Sequence, residues 1–288
     1  MLITGESGTG RELTAREIHR QSPRRAAPFV VVDGGSLAEP MLEDDLFGHA
    51  KNAFPGAREM KHGRFELADG GTMFIDEVSR FSLPLQGRIF RALQEREVTR
   101  LGQSRPIKVD VRMIASTSVN LAQAVNQGNF REDLFYKLSV VPIHLPPLRE
   151  RKEDIPLLVD HFLHKYGRKS GKSLTGVSTR AMLALTEYDW PGNVRELENT
   201  VERAIVLCRG SEIQVEDVMS HGISLGIPAL AWAGDKFKTL DDIEKAYIQS
   251  VLNDQEGNRK RTAAILGIDR KTLWAKINKY GLERSAAS

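Results

Sequence analysis

At 288 residues, with 41% apolar and 27% charged side chains, the chain has the composition of an ordinary folded protein, not a disordered or fibrous one. Its net charge of +3 makes no global case for a nucleic-acid partner, and its single cysteine, Cys208, excludes an internal disulfide and a cysteine-built metal site. No apolar run approaches the ~20 residues of a membrane span, no signal peptide is evident, and a lone thiol suits a reducing cytoplasm.

The chain opens on a short apolar strand, Met1-Leu2-Ile3-Thr4. It runs directly into Gly5-Glu6-Ser7-Gly8-Thr9-Gly10-Arg11-Glu12. Three glycines at this spacing read as a phosphate loop, whose backbone N–H groups cradle phosphates at the start of a helix. Arg11 stands where such a loop carries lysine. Further buried-strand candidates follow at Phe29-Val30-Val31-Val32, Met73-Phe74-Ile75-Asp76, residues 109–115 and Val140-Val141-Pro142-Ile143, with helices such as 83–94 between them. Strands alternating with helices predict an α/β fold with a parallel sheet covered on both faces. Gly70-Gly71-Thr72-Met73-Phe74-Ile75-Asp76-Glu77 is a strand ending in two acids. At the carboxyl end of a parallel strand, the first acid can hold Mg²⁺ through water and the second can orient an attacking water. An acidic helix start is the plainer reading of that pair, and the phosphate loop beside it weakens it.

From about Ile155 the pattern turns helical, with Leu157, Leu158, His161, Phe162 and Tyr166 on one face and further helices over 179–188 and 193–208. Residues 221–237 read as a linker that contains Gly222, Gly226, Pro228 and Gly234. The last segment reads as three helices. Leu240, Ile243, Tyr247 and Val251 mark the first, 259–266 the second and 270–280 the third, with Gly267-Ile268-Asp269 as the turn and Asp269 as its cap. Between Gly257 and Gly281 seven basic residues face one acid, a local excess of six. This pattern predicts a helix-turn-helix. Arg270, Lys271, Thr272 and Lys276 would meet bases and phosphates; Arg259, Lys260, Arg261 and Thr262 would meet backbone phosphates. Trp274 is expected to pack at the helix edge.

Several motifs together resemble one family. They are residues 5–10, Asp45-Leu46-Phe47-Gly48-His49, residues 70–77, Leu93-Gln94-Glu95-Arg96-Glu97, Phe130-Arg131-Glu132-Asp133-Leu134, residues 145–151 and Trp190-Pro191-Gly192-Asn193-Val194-Arg195-Glu196-Leu197. The chain is similar to the AAA+ region of bacterial sigma-54-dependent transcriptional activators, and residues 262–268 and 272–274 resemble their Fis-type helix-turn-helix. The resemblance implies a core over 1–150, a helical lid over 151–220, a linker over 221–238 and a DNA-binding domain over 239–288. It implies ATP and Mg²⁺ as cofactors, with Gly5 to Glu12 and Asp76 at the nucleotide, Glu77 orienting water, Arg131 as the finger offered to a neighbouring subunit and Arg195 as a sensor. It also implies a hexameric ring, a dimeric C-terminal unit on inverted-repeat DNA, and RNA polymerase holding sigma-54 as partner.

Four departures from that family's pattern cluster on its chemistry. Arg11 replaces the loop lysine, and a planar guanidinium is not interchangeable with a compact ammonium. The surface loop that touches sigma-54 reads Asn52-Ala53-Phe54-Pro55-Gly56-Ala57, keeping Phe54 and Gly56 but placing Pro55 where threonine is usual. Asp33 stands for the asparagine that restrains the catalytic glutamate, so it is expected to repel Glu77. Ser118 stands for a sensor asparagine, and Lys137 replaces a second arginine. The resemblance also implies chain before Met1 that completes the nucleotide pocket. Impaired hydrolysis is the expectation. The rival reading is a non-hydrolysing DNA-binding regulator, a repressor or a partner that poisons an intact activator. A metabolic kinase would leave Arg131 and the basic C-terminal segment unexplained.

Overall fold

The computed structural model describes residues 1–35, 38–170, 172, 174–219, 240–255 and 258–282. The expected linker lies outside the described residues, as does Gly257. The chain forms two compact units, one of residues 1–159 with 189–199 and one of 160–188 with 200–288.

The first unit is built on five parallel strands: β1 (Leu2–Thr4), β2 (Phe29–Asp33), β3 (Thr72–Asp76), β4 (Arg112–Thr117) and β5 (Pro142–His144). Their order across the sheet is β2-β3-β4-β1-β5. Alternation sends Leu2, Val32, Met73, Ile75, Met113 and Ala115 into one apolar layer. Ile3, Phe74 and Ile114 go into the other, against Ala15 of helix Arg11–Arg20. Burial on both faces is why these strands read as continuous apolar runs. The expected strand over 109–115 begins later: residues 109–111 are outside any strand, and Arg112–Thr117 joins the sheet, while the preceding Ile107–Lys108 pairs antiparallel with Glu97–Val98.

In the second unit, helix Thr179–Glu187 and residues 200–207 of helix Asn193–Leu207 bury Ala181, Leu185, Val201, Ala204 and Ile205. Lys172 Nζ donates to the carbonyls of Ile205, Val206 and Cys208 at 2.7–2.9 Å, which satisfies the orphan acceptors of that helix end. Helices Leu240–Asp254, Arg259–Ile265 and Arg270–Tyr280 share a core of Ile248, Leu252, Ala263, Leu273 and Ile277. Tyr247, expected on the apolar face of the first, is 41% exposed; Ile248 takes the inward position beside Val251.

Candidate functional site

The phosphate loop connects the end of β1 to helix Arg11–Arg20. Gly10 has φ +102°, with nothing within 4 Å of where a Cβ would lie, so the loop leaves open space at the helix start. Gly8 has φ +81°, and a Cβ there would lie 2.3 Å from the Gly192 carbonyl oxygen. Only glycine combines that conformation with that approach. The residues after Gly192 hold the loop. Asn193 Nδ2 donates to Glu6 and to the Ser7 carbonyl, both at 3.1 Å; Arg195 donates to Ser7 Oγ at 3.1 Å and, through its backbone N–H, to the Gly8 carbonyl at 3.3 Å. Arg149 grips Glu6 in a fork at 2.7 and 2.9 Å, and this pair with Asn193 holds the Glu6 carboxyl down at about 2. Arg151 donates to the Thr9 carbonyl at 3.0 Å, and its Nε is buried without a partner. Thr9 Oγ1 closes the turn on the Glu6 carbonyl at 2.8 Å. Glu12 faces solvent and pairs with Arg16 at 2.7 Å.

Arg11 does not reach into the cradle. Its side chain is 6% exposed and crosses to the end of β3. One terminal nitrogen donates to the Gly5 carbonyl at 2.9 Å. The other lies 2.5 Å from Glu77 Oε1 and 3.2 Å from Asp76 Oδ1. Ser118 donates to Glu77 Oε2 from its hydroxyl at 3.0 Å and its backbone N–H at 3.2 Å. Burial pushes the Glu77 carboxyl up, but the Arg11 guanidinium and the two Ser118 bonds outweigh it and hold it below the usual range. Ser116 donates to Asp76. Glu77 has φ +55°, a left-handed conformation that costs a non-glycine residue roughly 1–2 kcal/mol.

Asp33 sits at the end of β2 in register with Asp76, and its side chain accepts from the Gly35 N–H at 2.8 Å. The expected opposition to Glu77 gives way to Glu77's bonds with Arg11 and Ser118. Ser116, Asn193, Arg149 and Arg151 were not singled out by sequence reasoning; the motif at 145–151 and the Pro-Gly-Asn turn were visible, but their aim at the loop was not. The open space at Gly10 is where a bound phosphate would sit against the helix start. Arg11 and Ser116 both lie on Asp76 Oδ1, so the guanidinium is a cation competing at the acid that would hold Mg²⁺ through water.

Arg131 precedes helix Glu132–Leu138 and forks onto Asp133 at 2.7 and 3.0 Å, with its backbone N–H held by the buried Gln86 at 2.8 Å. Lys137 donates to Gln94 at 2.7 Å. Phe54, 42% exposed, stands edge-on to His49 with ring centres 5.0 Å apart. Pro55 and Gly56 are exposed, and the Ala57 N–H donates to the Phe54 carbonyl at 3.0 Å. With Gly56 at φ +106°, this is a type II turn, whose first central position favours proline.

In the C-terminal helices, Asp269 caps the third helix by accepting from the N–H groups of Lys271 and Thr272 at 2.8 and 2.9 Å, and Thr272 Oγ1 returns to it at 2.6 Å. Arg259, Lys260, Arg261, Arg270 and Lys271 are exposed. One expected DNA contact is corrected, and a second is held by an ion pair. Thr262 is fully buried, its hydroxyl spent on the Asn258 carbonyl at 2.9 Å. Lys276 turns onto the first helix and pairs with Glu244 at 2.5 Å, beside Lys279 on Asp241 at 3.0 Å. The Tyr280 hydroxyl shares its one proton between Glu244 at 2.6 Å and Asp241 at 3.0 Å, and Glu244, with burial and Asp241, holds that proton up to about 12. Trp274, expected to pack, is 56% exposed.

Three family models match in succession: the Sigma-54 interaction domain over residues 1–144, the AAA+ ATPase lid domain over 149–224 and the Bacterial regulatory protein, Fis family over 239–280. The chain belongs to the sigma-54-dependent transcriptional regulators. Among relatives in that family, Regulatory protein AtoC of Escherichia coli is 45% identical over 98% of this chain and 63% of its own length. Transcriptional regulatory protein ZraR of Escherichia coli is 48% identical over 97% of this chain and 63% of its own length. The chain thus spans a little under two thirds of these curated relatives. Among solved structures, NtrX from Brucella abortus in complex with ATP is similar at a TM-score of 0.71 and 38% identity, over 97% of this chain and 63% of that one. Its complex with ADP gives a TM-score of 0.72 at 34% identity, over 97% of this chain and 64% of that one. No helix among the described residues is long and apolar enough to cross a membrane.

Proposed function

We propose that this chain is a sigma-54-dependent transcriptional regulator that binds ATP at the Gly5–Gly10 loop and DNA through its last two helices, with ATP hydrolysis impaired. The observation that carries the impairment is Arg11 lying against both acids, 2.5 Å from Glu77 and 3.2 Å from Asp76. In phosphoryl transfer of this type, catalysis is positioning plus charge stabilisation. A water-orienting carboxylate must stay basic and turn a lone pair toward the nucleophile, and an ion pair with a guanidinium opposes both. Here one Glu77 oxygen accepts from Arg11 and the other from Ser118. The arginine that should lie along the phosphates neutralises the base instead.

The remaining parts keep family roles in this reading. Arg131 is the finger offered to the next subunit of a hexameric ring, and Arg195 senses nucleotide through Ser7. Phe54, Pro55 and Gly56 form the tip that meets sigma-54 in the polymerase. Nucleotide is held by the loop's backbone N–H groups and by Ser7, while Thr9 braces the loop from within. Mg²⁺, held through Asp76 in the family, has no ready place while Arg11 sits there. The C-terminal unit dimerises on inverted-repeat DNA. The same Arg11 geometry also favours a second reading, a DNA-binding regulator that does not hydrolyse ATP and acts by repression or by entering rings of an intact activator.

The test is phosphate release by the purified chain with ATP and Mg²⁺, with radiolabelled ATP binding measured in parallel. Little turnover with retained binding is expected, and Arg11→Lys alone does not restore a normal rate because Asp33 and Ser118 are unchanged. Brisk turnover by the unmodified chain refutes the impairment. Capture of sigma-54 holoenzyme separates the two readings.

A further inference from the structure

The recognition helix Arg270–Tyr280 presents three different edges. Leu273 and Ile277 enter the core. Lys276, Lys279 and Tyr280 turn onto Asp241 and Glu244 of helix Leu240–Asp254. The remaining face carries Arg270, Lys271, Trp274, Ala275 and Asn278, all exposed. On this face Trp274 lies one turn beyond both Arg270 (i−4) and Lys271 (i−3), with Asn278 a turn further on. Neither Arg270 nor Lys271 enters an ion pair among the described residues. The acids of the first helix therefore hold the basic groups at one edge and leave the cations that flank the indole available.

The indole is 56% exposed, with Arg270, Lys271 and Asn278 around it, so its apolar surface is open to a partner. It lies in the second turn of the helix whose N-terminal part enters the major groove in this motif. The apolar feature that the major groove offers is the thymine C5-methyl group, which marks one base of the four. The geometry points to Trp274 as a specificity-determining residue: it reads a thymine methyl by apolar contact, while Arg270 and Lys271 hold the phosphates or base edges beside it. This rests on the DNA-binding reading above. It adds that part of the sequence preference is hydrophobic and so insensitive to salt, unlike the phosphate contacts, whose contribution falls with ionic strength.

The experiment uses the full chain and a random-sequence DNA duplex pool, from which the preferred duplex is selected and sequenced. Binding of that duplex is then compared between the chain and Trp274→Ala, with each thymine replaced in turn by deoxyuridine, which removes only the methyl group. Trp274→Ala is expected to lose about tenfold in affinity for the selected duplex, the scale of one base-pair preference. It should keep its affinity for an unrelated duplex at low salt, which also reports an intact fold. At least one deoxyuridine substitution should weaken the unmodified chain by a similar factor and leave Trp274→Ala unaffected. Trp274→Phe should recover part of the loss. Unchanged affinity and unchanged selected sequence in Trp274→Ala overturn the proposal and assign the indole to a protein partner instead. Equal effects of deoxyuridine on both chains overturn it as well. If the unmodified chain selects no duplex at all, the DNA-binding reading itself fails, and this inference with it.

Discussion

Arg11→Ala should destabilise the first unit at neutral pH and do so less as the solution is acidified. The guanidinium side chain is 6% exposed and faces Glu77 and Asp76 side chains that are 12% and 30% exposed. Removing one partner from a buried pair leaves an uncompensated charge and costs about 3–5 kcal/mol. Asp76 is the wetter acid and keeps its Ser116 bond, so the lower end, about 3 kcal/mol, is expected. For a unit of this size that is a fall of roughly 10 °C in Tm. The pH dependence follows from the direction of the Glu77 shift. With Arg11 present, the carboxyl is held below its usual range, so its pairing stabilises the fold above that range and is lost as pH falls through the lowered value. Without Arg11, burial still pushes the carboxyl up and only the Ser118 bonds oppose it, so the variant binds a proton more readily than the unmodified chain and its penalty falls as the pH is lowered. Thermal unfolding of both proteins at pH 7.5 and pH 5 checks this, with the gap in Tm narrowing at the lower pH. A constant gap, or a loss of under ~1 kcal/mol at pH 7.5, would show that Arg11 is not the counter-charge of Glu77.

The C-terminal helices give a paired test. Lys271→Ala should weaken DNA binding and lower the salt slope by about one counterion, whereas Lys276→Ala, whose charge is held by Glu244, should leave that slope unchanged; titrations at several salt concentrations separate them, and equal slopes refute the assignment. Glu66 offers a pH test. Burial raises its carboxyl, but Arg100, His62 and the Gly63 N–H bring it down to about 2 from 4.5. Discounted for solvent screening, Glu66→Gln should cost about 1–2 kcal/mol near neutrality. That cost should fade in acid from about pH 4.5 down to about 2, followed by chemical denaturation.

Strands buried on both faces were legible because burial on both faces leaves no polar alternation; Met73-Phe74-Ile75 was placed correctly from composition alone. The Asp269 cap was equally plain, since its oxygen needs only the two N–H groups that follow it. Long-range pairing was not legible. Nothing in the spacing of Arg11 and Glu77, 66 residues apart, says that the side chain would leave the loop for the neighbouring strand end. Lys276 misled for the same reason. Helical periodicity gives a residue's angle on its own helix, but not the acids on another helix that face it. Pro55 counted as a departure because it removes threonine's hydroxyl and fixes φ, yet that fixed φ is the one the first central position of a type II turn takes, so the substitution suits the observed backbone. Trp274 was assigned to packing on residue type, and only the placement of the core shows that it lies outside.

Glu77 keeps a left-handed backbone at φ +55° and shares its two oxygens between Arg11 and Ser118. An acid so placed has a structural role separate from turnover, as the counter-charge of a buried arginine. Once the arginine depends on it for neutralisation, a neutral drift that removes the glutamate strands a buried cation, and one that restores lysine first weakens the pair. The two positions are therefore locked together in descent. A substitution at either position is expected to be tolerated best when the other changes with it.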